Sequence, residues 1–318
     1  MAKALISGCG VTDIIAKPVP DLDYARDHLT IQELRLSNGG DASNCSINLS
    51  KMGQDVSIVT RIGTDDFGDF LFNKLTAEGV NTQFVNRIEG QKSSGTLVCI
   101  NEKGDRTFFS IRAANHDLTL SDLPLDRLGE FKVAHLSTFF TFKKLGTEGA
   151  VAYFKRAQAA GCTTTMDVGW DHDMKWMEKI GPVLPYLDYF LPSDNEACEI
   201  AGKSRNDPEG MADVLLDAGA KNVIIKRGEY GCYYKGQSGS FYLPSMKVEV
   251  LDTTGAGDAY VGGFITGLLQ DWDVEKCARF ATALAGICTT HVGTTDGTPG
   301  FDEIYHFMET GQMRELVK

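Results

Sequence analysis

The chain has 318 residues, of which 42% are hydrophobic, and a formal net charge of −12. Its length and apolar content suffice for one large buried core, and its acidic surface disfavours nucleic acid and anionic membranes as partners. The sequence has no apolar run of membrane-spanning length and no basic-then-apolar signal segment at Met1, so we expect a cytoplasmic protein with no membrane partner.

The first residues predict a strand that presents a carboxylate. Ala4 to Cys9 is a β-like run, and Asp13 follows it directly, where an α/β sheet presents its ligands. The fragment Gly8-Cys9-Gly10 lacks the third glycine of a dinucleotide-binding fingerprint, because Asp13 occupies that position. From the residues alone, Asp13 is equally well a turn aspartate.

A pair of glycines introduces the first predicted helix. Residues 18–36 are expected to be irregular, and Gly39-Gly40 then lead into a helix that ends near Gly53. Two glycines at a helix start permit close approach of the backbone to a ligand. Asn44 lies one turn inside, and its amide offers both a donor and an acceptor, which suits a polyol better than a phosphate. A plain N-terminal turn is the alternative for these residues.

The next segments predict a strand at 56–59, a turn into a helix that ends at Gly79, and a hairpin. The β runs of the hairpin, 96–100 and 106–111, are joined by a short polar turn. Because an isolated hairpin is only marginally stable, it must pack on the rest of the chain. Arg112 and Asn115 follow the hairpin and could face a substrate, although polar residues at such positions are more often simply solvated.

From Val133 onward, β-like and helical segments alternate. The pattern predicts strands at 133–136, 163–168 and 186–191, with helices at 147–160 and 174–180. Repeated β-then-α units imply a parallel sheet covered by helices on both faces, with the strand C-termini along one ligand-binding edge. Asp167 lies at one of these strand ends and is therefore a candidate site residue.

Two further segments could contact a ligand. Ser193 and Glu196 have the spacing of a capping box at a helix start. The apolar run 222–225 is followed by the loop 226–231, whose Lys226 is suited to contact a phosphate. A surface turn is the alternative for this loop. The aromatic pairs at 233–234 and 241–242 suggest a hairpin after it.

The chain is organised around the stretch Asp252-Thr253-Thr254-Gly255-Ala256-Gly257-Asp258. A β-like run at 247–251 precedes it, and apolar residues between Val261 and Leu269 fall on one helical face after it. The free amides of Gly255, Ala256 and Gly257 would point out of the helix start, where the helix dipole also favours an anion.

A carboxylate beside an anion site is poorly suited to binding phosphate, because like charges repel. Asp258 is instead well placed to accept a proton from a hydroxyl that attacks the phosphate. We therefore interpret Asp258 as a general base and residues 255–257 as an anion hole for phosphoryl transfer. Asp252 or Asp258 could instead cap the helix. The complete seven-residue string favours the catalytic role over the helix cap, since the glycines, the free amides and the carboxylate coincide in one turn.

The eight cysteines are scattered along the chain, with no C-x-x-C pair. Most lie inside apolar runs, such as Cys99 and Cys288. This pattern favours reduced core residues over disulfides or zinc ligands.

The stretch 252–258 resembles the C-terminal signature of the PfkB, or ribokinase-like, family of sugar and nucleoside kinases. The stretch 39–53 is similar to the family's N-terminal signature, with Asp41, Ser46 and Asn48 in place of its usual small apolar residues. Both signatures occur in the expected order, and the resemblance covers most of the chain.

This resemblance implies a ribokinase-like α/β fold. A doubly wound, mostly parallel sheet would be flanked by helices on both faces, in a single domain that spans 1–318. A small β lid, formed from about 14–36 and 95–113, would cover the sugar. Such lids often pair with a second subunit, so we expect a homodimer.

The resemblance also implies the binding roles of individual residues. Those that correspond to sugar ligands, or could face the sugar, are Asp13, Gly39, Gly40, Asn44, Arg112 and Asn115. Those expected near ATP are Ser193, Glu196, Lys226, Gly228, Gly231, Thr282 and Cys288, the last two on a helix whose small side chains leave room for adenine.

Metal binding is implied as well. Ser193 and Glu196 correspond to an Asn-x-x-Glu element that organises Mg²⁺-bound water, with Asn195 as the alternative register. The loop 290–297 resembles a monovalent-cation loop, and Asp252 and Thr254 match the other positions that hold K⁺ in many relatives.

The function implied is an ATP-dependent kinase that phosphorylates a free sugar. Residues 137–140 lack the glutamate typical of ribokinases, and residues 104–108 look more like fructokinase or 2-keto-3-deoxygluconate kinase. A sugar phosphate would require more arginines in the lid than Arg106 and Arg112. A nucleoside kinase, or a non-catalytic sugar-binding sensor, remains the alternative.

Overall fold

A computed structural model describes residues 3–20 and 28–313. Within these ranges the strands, in chain order, are β1 (Lys3–Ser7), β2 (Val11–Lys17), β3 (Glu33–Gly39), β4 (Asp55–Gly63), β5 (Asn81–Ile88), β6 (Gly95–Ile100), β7 (Arg106–Ile111), β8 (Val133–Leu136), β9 (Thr163–Met166), β10 (Tyr189–Phe190), β11 (Asn222–Lys226), β12 (Cys232–Gly236) and β13 (Gly239–Leu243). The helices are α1 (Asp41–Lys51), α2 (Asp66–Ala77), α3 (Gly146–Ala159), α4 (Trp176–Ile180), α5 (Asp194–Ala201), α6 (Pro208–Asp217), α7 (Ala256–Leu269), α8 (Val274–Thr289) and α9 (Phe301–Thr310).

The strands form two sheets. Nine of them make the core sheet in the order β13-β12-β11-β10-β9-β8-β1-β4-β5, in which the pairs β11–β12 and β12–β13 are antiparallel and the others parallel. The other four make a second sheet in the order β3-β2-β6-β7. The expected mostly parallel core sheet and separate small sheet are both confirmed.

Helices cover both faces of the core sheet. Side chains along β1 alternate between two buried clusters, with Ala4 and Ile6 in one and Leu5 in the other. The first cluster contains residues of α1, α7, α8 and α9, and the second contains residues of α3, α5 and α6. A sheet with both faces buried has continuous apolar strands, as observed for 223–225. In the described part of the chain, no helix is both long and apolar enough to cross a membrane.

Helix α7 lies deep inside this arrangement. Every residue from Ala259 to Leu269 is buried, so the helix is apolar all round rather than along one stripe. A Cβ on Gly263 would lie 2.7 Å from Ala281 Cα, so α7 and α8 pack with their backbones close together. This packing holds the N-terminus of α7 in place at the edge of the core.

The predicted strand at 247–251 is wrong. These residues form no strand, and the core sheet ends at β13. Lys247, Val248 and Val250 instead line a cavity, while the amides of Leu251 and Asp252 donate to Thr289 O. A segment with a β-like pattern becomes a strand only where the free edge of another strand lies beside it. This segment instead runs past the C-terminus of α8.

Several other boundaries differ from the expectations. Residues 18–36 are not irregular throughout, because β3 begins at Glu33 and pairs antiparallel with β2; residues 21–27 lie outside the described ranges. Strand β10 is only two residues long, since residues 184–186 form a 3₁₀ turn. Strand β5 has no counterpart in the predicted elements, and β2 overlaps the expected lid segment 14–36 but begins earlier, at Val11. Asp13 therefore lies within a strand of the second sheet rather than directly after a core strand.

Candidate active site

The signature turn leads directly into α7. Gly255 is the N-cap residue, with φ 78 and ψ −2, a left-handed conformation that favours glycine. Among the described residues, no acceptor binds the amides of Gly255 and Gly257, whereas the Ala256 amide donates to Thr253 O at 3.3 Å. Two unbonded amides at the start of a fourteen-residue helix are suited to binding an anion.

Asp258 occupies the first turn of α7. Its carboxylate accepts a 2.7 Å hydrogen bond from Asn44 Nδ2 and lines a cavity of about 1090 Å³. Burial raises the pKa of Asp258 well above its ordinary value of 3.8, and nearby Asp41 raises it further, while the Asn44 hydrogen bond and Lys226 oppose the shift. A carboxylate with a raised pKa is a stronger base than an ordinary aspartate.

An amide relay holds Asn44 in position. Asn38 Nδ2 donates to Asn44 Oδ1 at 2.8 Å and also lies 3.2 Å from Thr294 Oγ1 and 3.3 Å from Thr295 Oγ1. The relay therefore joins β3, α1 and the loop at 290–297 to the start of α7. The only signal of Asn38 in the sequence is its position directly before Gly39.

The cavity contains most of the residues expected near a nucleotide. The predicted site residues that line it are Ala256, Gly257, Asp258, Ser193, Glu196, Lys226, Gly228, Gly231 and Thr282. Lys226 Nζ lies 3.9 Å from where a Cβ on Gly257 would be, so a cation lies close to Gly257.

Ser193 and Glu196 form the capping box that their spacing predicts. The Glu196 carboxylate accepts from Ser193 N at 2.7 Å through Oε2, and the Glu196 amide donates to Ser193 Oγ at 3.3 Å. Both residues line the cavity, whereas Asn195 is exposed and does not. The structure therefore brings the Ser193 register, and not the Asn195 register, to the cavity.

Cys288 does not line the cavity, in contrast to the expectation. Its buried thiol lies 3.7 Å from Thr254 O and 3.5 Å from Thr294 O, behind the signature turn. The residues of α8 that face the cavity are Thr282, Ala285, Gly286 and Thr289. At 100° per residue these four share one helical face, from which Cys288 is rotated by about 120°.

Two further carboxylates, those of Asp41 and Asp167, also face the cavity. Asp41 accepts a 2.6 Å hydrogen bond from Thr138 Oγ1, and Asp167 accepts a 2.9 Å hydrogen bond from Thr138 N. Burial raises the pKa of Asp167 to about 7, with Lys226 opposing the shift, and burial also raises the pKa of Asp41. In the sequence, Asp41 stands out only as a departure from the family pattern.

The expected sugar ligands do not line this cavity, although Asn44 contacts Asp258, which does. A Cβ on Gly39 would lie 2.2 Å from Asp13 Oδ2, and one on Gly40, with φ 84, would lie 2.5 Å from Cys9 O. Gly40 therefore requires glycine for close backbone packing, whereas at Gly39 the Asp13 side chain fills the space that a Cβ would take. The Asp13 carboxylate lies against Gly39 of β3.

Arg112 and Asn115 have partners within the protein. Arg112 Nη2 lies 2.8 Å from His172 Nε2 on the surface. Asn115 is buried, donates to Gly10 O at 2.8 Å and accepts from Gly10 N at 3.4 Å. The structure thus gives Asn115 a role in fixing the chain around Gly10, and neither residue lines the cavity.

Asp252 and Thr254 are also occupied. Asp252 accepts hydrogen bonds from Thr254 N at 2.7 Å and Gly293 N at 3.1 Å. Arg106 of β7 forms an ion pair with Asp252 at 2.5 Å and donates to Thr254 Oγ1. The residues expected to hold K⁺ therefore bind an arginine.

We expect Asp13→Asn to be more stable than the parent at pH 8, by about 2 kcal/mol in the free energy of unfolding. At pH 5 this advantage over the parent should be smaller. Burial raises the pKa of Asp13 from 3.8 to about 7. Between these values the folded chain keeps a proton that the unfolded chain releases. The carboxyl's contribution to stability is therefore fully present below pH 4 and is lost as the pH rises through 7.

Urea unfolding at both pH values measures this effect. Asp217→Asn is the control, because Asp217 is exposed and should change stability little at either pH. A stability difference between Asp13→Asn and the parent that is the same at pH 5 and pH 8 would contradict the prediction.

Comparisons with known proteins identify the family. The model for the pfkB family carbohydrate kinase matches residues 8–300. An uncharacterised sugar kinase of Archaeoglobus fulgidus is 27% identical over 253 residues, 80% of this chain and 98% of that protein. Fructokinase-2 of Oryza sativa is 27% identical over 275 residues, 82% of each protein.

A similar fold occurs among solved structures. A provisionally assigned ribokinase II from E. coli, solved in complex with ATP and Mg²⁺, is 23% identical, with a TM-score of 0.84 over 97% of this chain and 99% of that one. This similarity concerns the fold, and the family match covers nearly the whole chain. The chain belongs to the pfkB family of carbohydrate kinases, and it is a phosphotransferase whose acceptor is an alcohol group.

Proposed function

We propose that this chain transfers the γ-phosphoryl group of ATP to a hydroxyl of a free sugar, with Asp258 as the general base. The observation that carries the proposal is the position of the Asp258 carboxylate. It lies at the start of α7, lines the cavity and accepts a hydrogen bond from Asn44. Beside it are the unbonded amides of Gly255 and Gly257.

ATP would occupy the cavity of about 1090 Å³, with adenine between α8 and the loop at 226–231. Lys226 would contact the phosphates, because its ammonium group lies beside Gly257. The E. coli relative bound to ATP and Mg²⁺ supports the same pair of ligands here.

The donor set fits a hydrated Mg²⁺. Glu196 uses Oε2 in the capping box, which leaves Oε1 to accept from a metal-bound water. When bound, Mg²⁺ would neutralise phosphate charge. Glu196 would hold it through water rather than directly, since Mg²⁺ keeps much of its hydration shell.

In the reaction, Asp258 accepts the proton of the sugar hydroxyl as its oxygen attacks the γ-phosphorus. Asn44 keeps the carboxylate aimed at the hydroxyl through its 2.7 Å hydrogen bond. The amides of Gly255 and Gly257, together with Lys226, stabilise the charge that moves onto ADP. Closure of the second sheet would exclude water, which competes with the sugar for the phosphoryl group.

The second sheet favours an acceptor without a phosphate. Arg106 is paired with Asp252, and Arg112 lies against His172, so neither arginine is free to bind a sugar phosphate. A fructokinase-like acceptor, as for the rice relative, or a 2-keto-3-deoxygluconate-like one, is therefore our proposal. A reaction that consumes ATP belongs in the cytoplasm, where ATP is abundant.

An ADP-release screen over free sugars, sugar phosphates and nucleosides tests the proposal. We expect turnover of at least one free sugar, with slower or no turnover of its phosphate. Faster turnover of a nucleoside would favour the nucleoside kinase. Binding of a sugar without any ADP release would favour the sensor.

We further propose a homodimer formed through the outer face of the second sheet. Leu36 and Phe109 lie on one face of the sheet. Leu36 is paired with Ile14, Ile14 with Leu97, and Leu97 with Phe109, so their side chains form one row across the strands. Leu34 lies two residues before Leu36, and Ile111 lies two residues after Phe109, so both share this face. These four side chains are 67% (Leu34), 43% (Leu36), 47% (Phe109) and 51% (Ile111) exposed, an apolar surface that a monomer would leave in water.

We expect Leu34→Asp to convert a dimer of the 34.7 kDa chain into a monomer, because a charge in an apolar interface costs several kcal/mol. Sedimentation velocity measures the change. Met174→Asp is the control, since Met174 is 59% exposed and lies outside the second sheet. A parent that is monomeric at all concentrations would contradict the proposal.

A further inference from the structure

An arginine of the second sheet reaches the base of the signature turn. Arg106 Nη2 lies 2.5 Å from Asp252 Oδ1, and Arg106 Nη1 donates to Thr254 Oγ1. The side chains of this pair are 19% and 6% exposed. The other bridge from this sheet to the same region, Arg35 to Asp296, is longer, at 3.6 Å, and more exposed.

Asp252 connects three parts of the molecule. Its carboxylate accepts from Thr254 N in the signature turn and from Gly293 N in the loop at 290–297, and it pairs with Arg106 of β7. A nearly buried carboxylate requires a counter-charge. Among the described residues, Arg106 is the cation within salt-bridge distance of Asp252.

The same two residues, Asp252 and Thr254, are those expected to hold a monovalent cation. Asp252 Oδ1 and Thr254 Oγ1 each accept from the Arg106 guanidinium. A metal ion bound there would place a second positive charge beside an arginine, and the two would repel each other. The donor set therefore does not fit K⁺ while Arg106 is in place.

We infer that Arg106 replaces the monovalent cation, so that this kinase works without K⁺. The guanidinium neutralises Asp252 and holds Thr254, and through them it positions the turn that carries the Gly255 and Gly257 amides. Arg106 is thus a positioning residue, which acts on the anion hole through Asp252. The inference rests on the proposed phosphoryl transfer at Asp258.

The test compares KCl with tetramethylammonium chloride at an equal ionic strength of about 0.1 M, so that charge screening is the same. We expect the parent to turn over its best sugar at rates within about twofold in the two salts. Arg106→Met should lose about tenfold or more in kcat in tetramethylammonium, because the anion hole loses its support. In KCl the kcat of Arg106→Met should be at least about threefold higher than in tetramethylammonium chloride, since K⁺ can occupy the position that the guanidinium has left.

Thermal unfolding without substrates provides a second measurement that needs no turnover. Potassium should raise the melting temperature of Arg106→Met relative to tetramethylammonium, because a bound ion stabilises the folded state. The parent should show no such shift. Arg106→Lys keeps the charge and should behave like the parent toward potassium. Arg87→Met, which removes the remote ion pair with Asp69, is the control and should not respond to potassium.

Several outcomes would overturn the inference. One is activation of the parent by potassium. Another is an Arg106→Met variant that responds to potassium no more than the parent in either measurement. If Arg106→Met does not fold, Arg106→Gln takes its place under the same criteria. A parent that phosphorylates no sugar would contradict the proposed function instead, and the melting temperatures would still decide whether Arg106 takes the place of the ion.

Discussion

Asp258→Asn is expected to lower kcat by about 10²–10⁴-fold while ATP binding is largely kept. Asparagine has nearly the same shape and can still accept the hydrogen bond from Asn44. It cannot accept the proton of an attacking hydroxyl, so the loss falls on the chemical step. Single-turnover kinetics measures that step, and the thermal shift produced by Mg-ATP reports whether the nucleotide still binds.

Folding should not account for this loss. Burial raises the pKa of Asp258 well above 3.8, so the ionised carboxylate destabilises the fold near neutral pH and its removal should not lower the melting temperature. For the parent, kcat/KM should fall about tenfold for each pH unit below the pKa of Asp258, since only the ionised form accepts the proton. Asp217→Asn is the control and should keep full activity. A variant at position 258 as fast as the parent would show that Asp258 is not the base.

Gly255→Ala is expected to lower kcat by about 10²-fold or more. A Cβ at this position would lie 2.7 Å from Thr294 O and 2.8 Å from Thr294 Cα. These are backbone atoms, which cannot rotate away, so the turn itself must shift. The shift would move the amides of residues 255 and 257 from where charge develops, and kcat should fall more than the affinity for ATP.

Gly53→Ala is a matched control for this variant. Gly53 also has a left-handed backbone, with φ 74 compared with 78 for Gly255, but a Cβ there would meet no atom within 4 Å. Both variants bear the strain of alanine at positive φ, about 1 kcal/mol, and only Gly255→Ala adds the clash. Steady-state kinetics and thermal unfolding separate the two effects. Equal losses of activity in both variants would contradict the anion-hole interpretation.

Local patterns in the sequence predicted much of the fold. Alternation of apolar strands with helical segments from Val133 onward indicated the parallel sheet, and helix α3 begins and ends within one residue of its predicted bounds. The capping box of Ser193 and Glu196 forms as its spacing predicts. These features depend on residues close together in the chain, so their physical causes can be read locally.

The same local reading failed at 247–251. The residues have a β-like pattern, but whether such a segment joins a sheet depends on a free edge beside it. In the folded chain it runs along the cavity and past α8. The resemblance placed a lid over about 14–36, but the bounds of β3 could not be predicted from local patterns, since its partner β2 belongs to a second sheet that the spacing of core strands does not indicate.

From the sequence alone, the family, the kind of reaction and the turn that carries Asp258 could be determined, because one short string contains the glycines and the carboxylate together. Only the tertiary structure decided what surrounds that turn. The Asn44–Asp258 hydrogen bond joins residues 214 positions apart, and the Arg106–Thr254 contact spans 148 positions. Such contacts depend on how the two sheets and α7 pack against one another. That packing is set by long-range burial, which no local pattern of residues specifies.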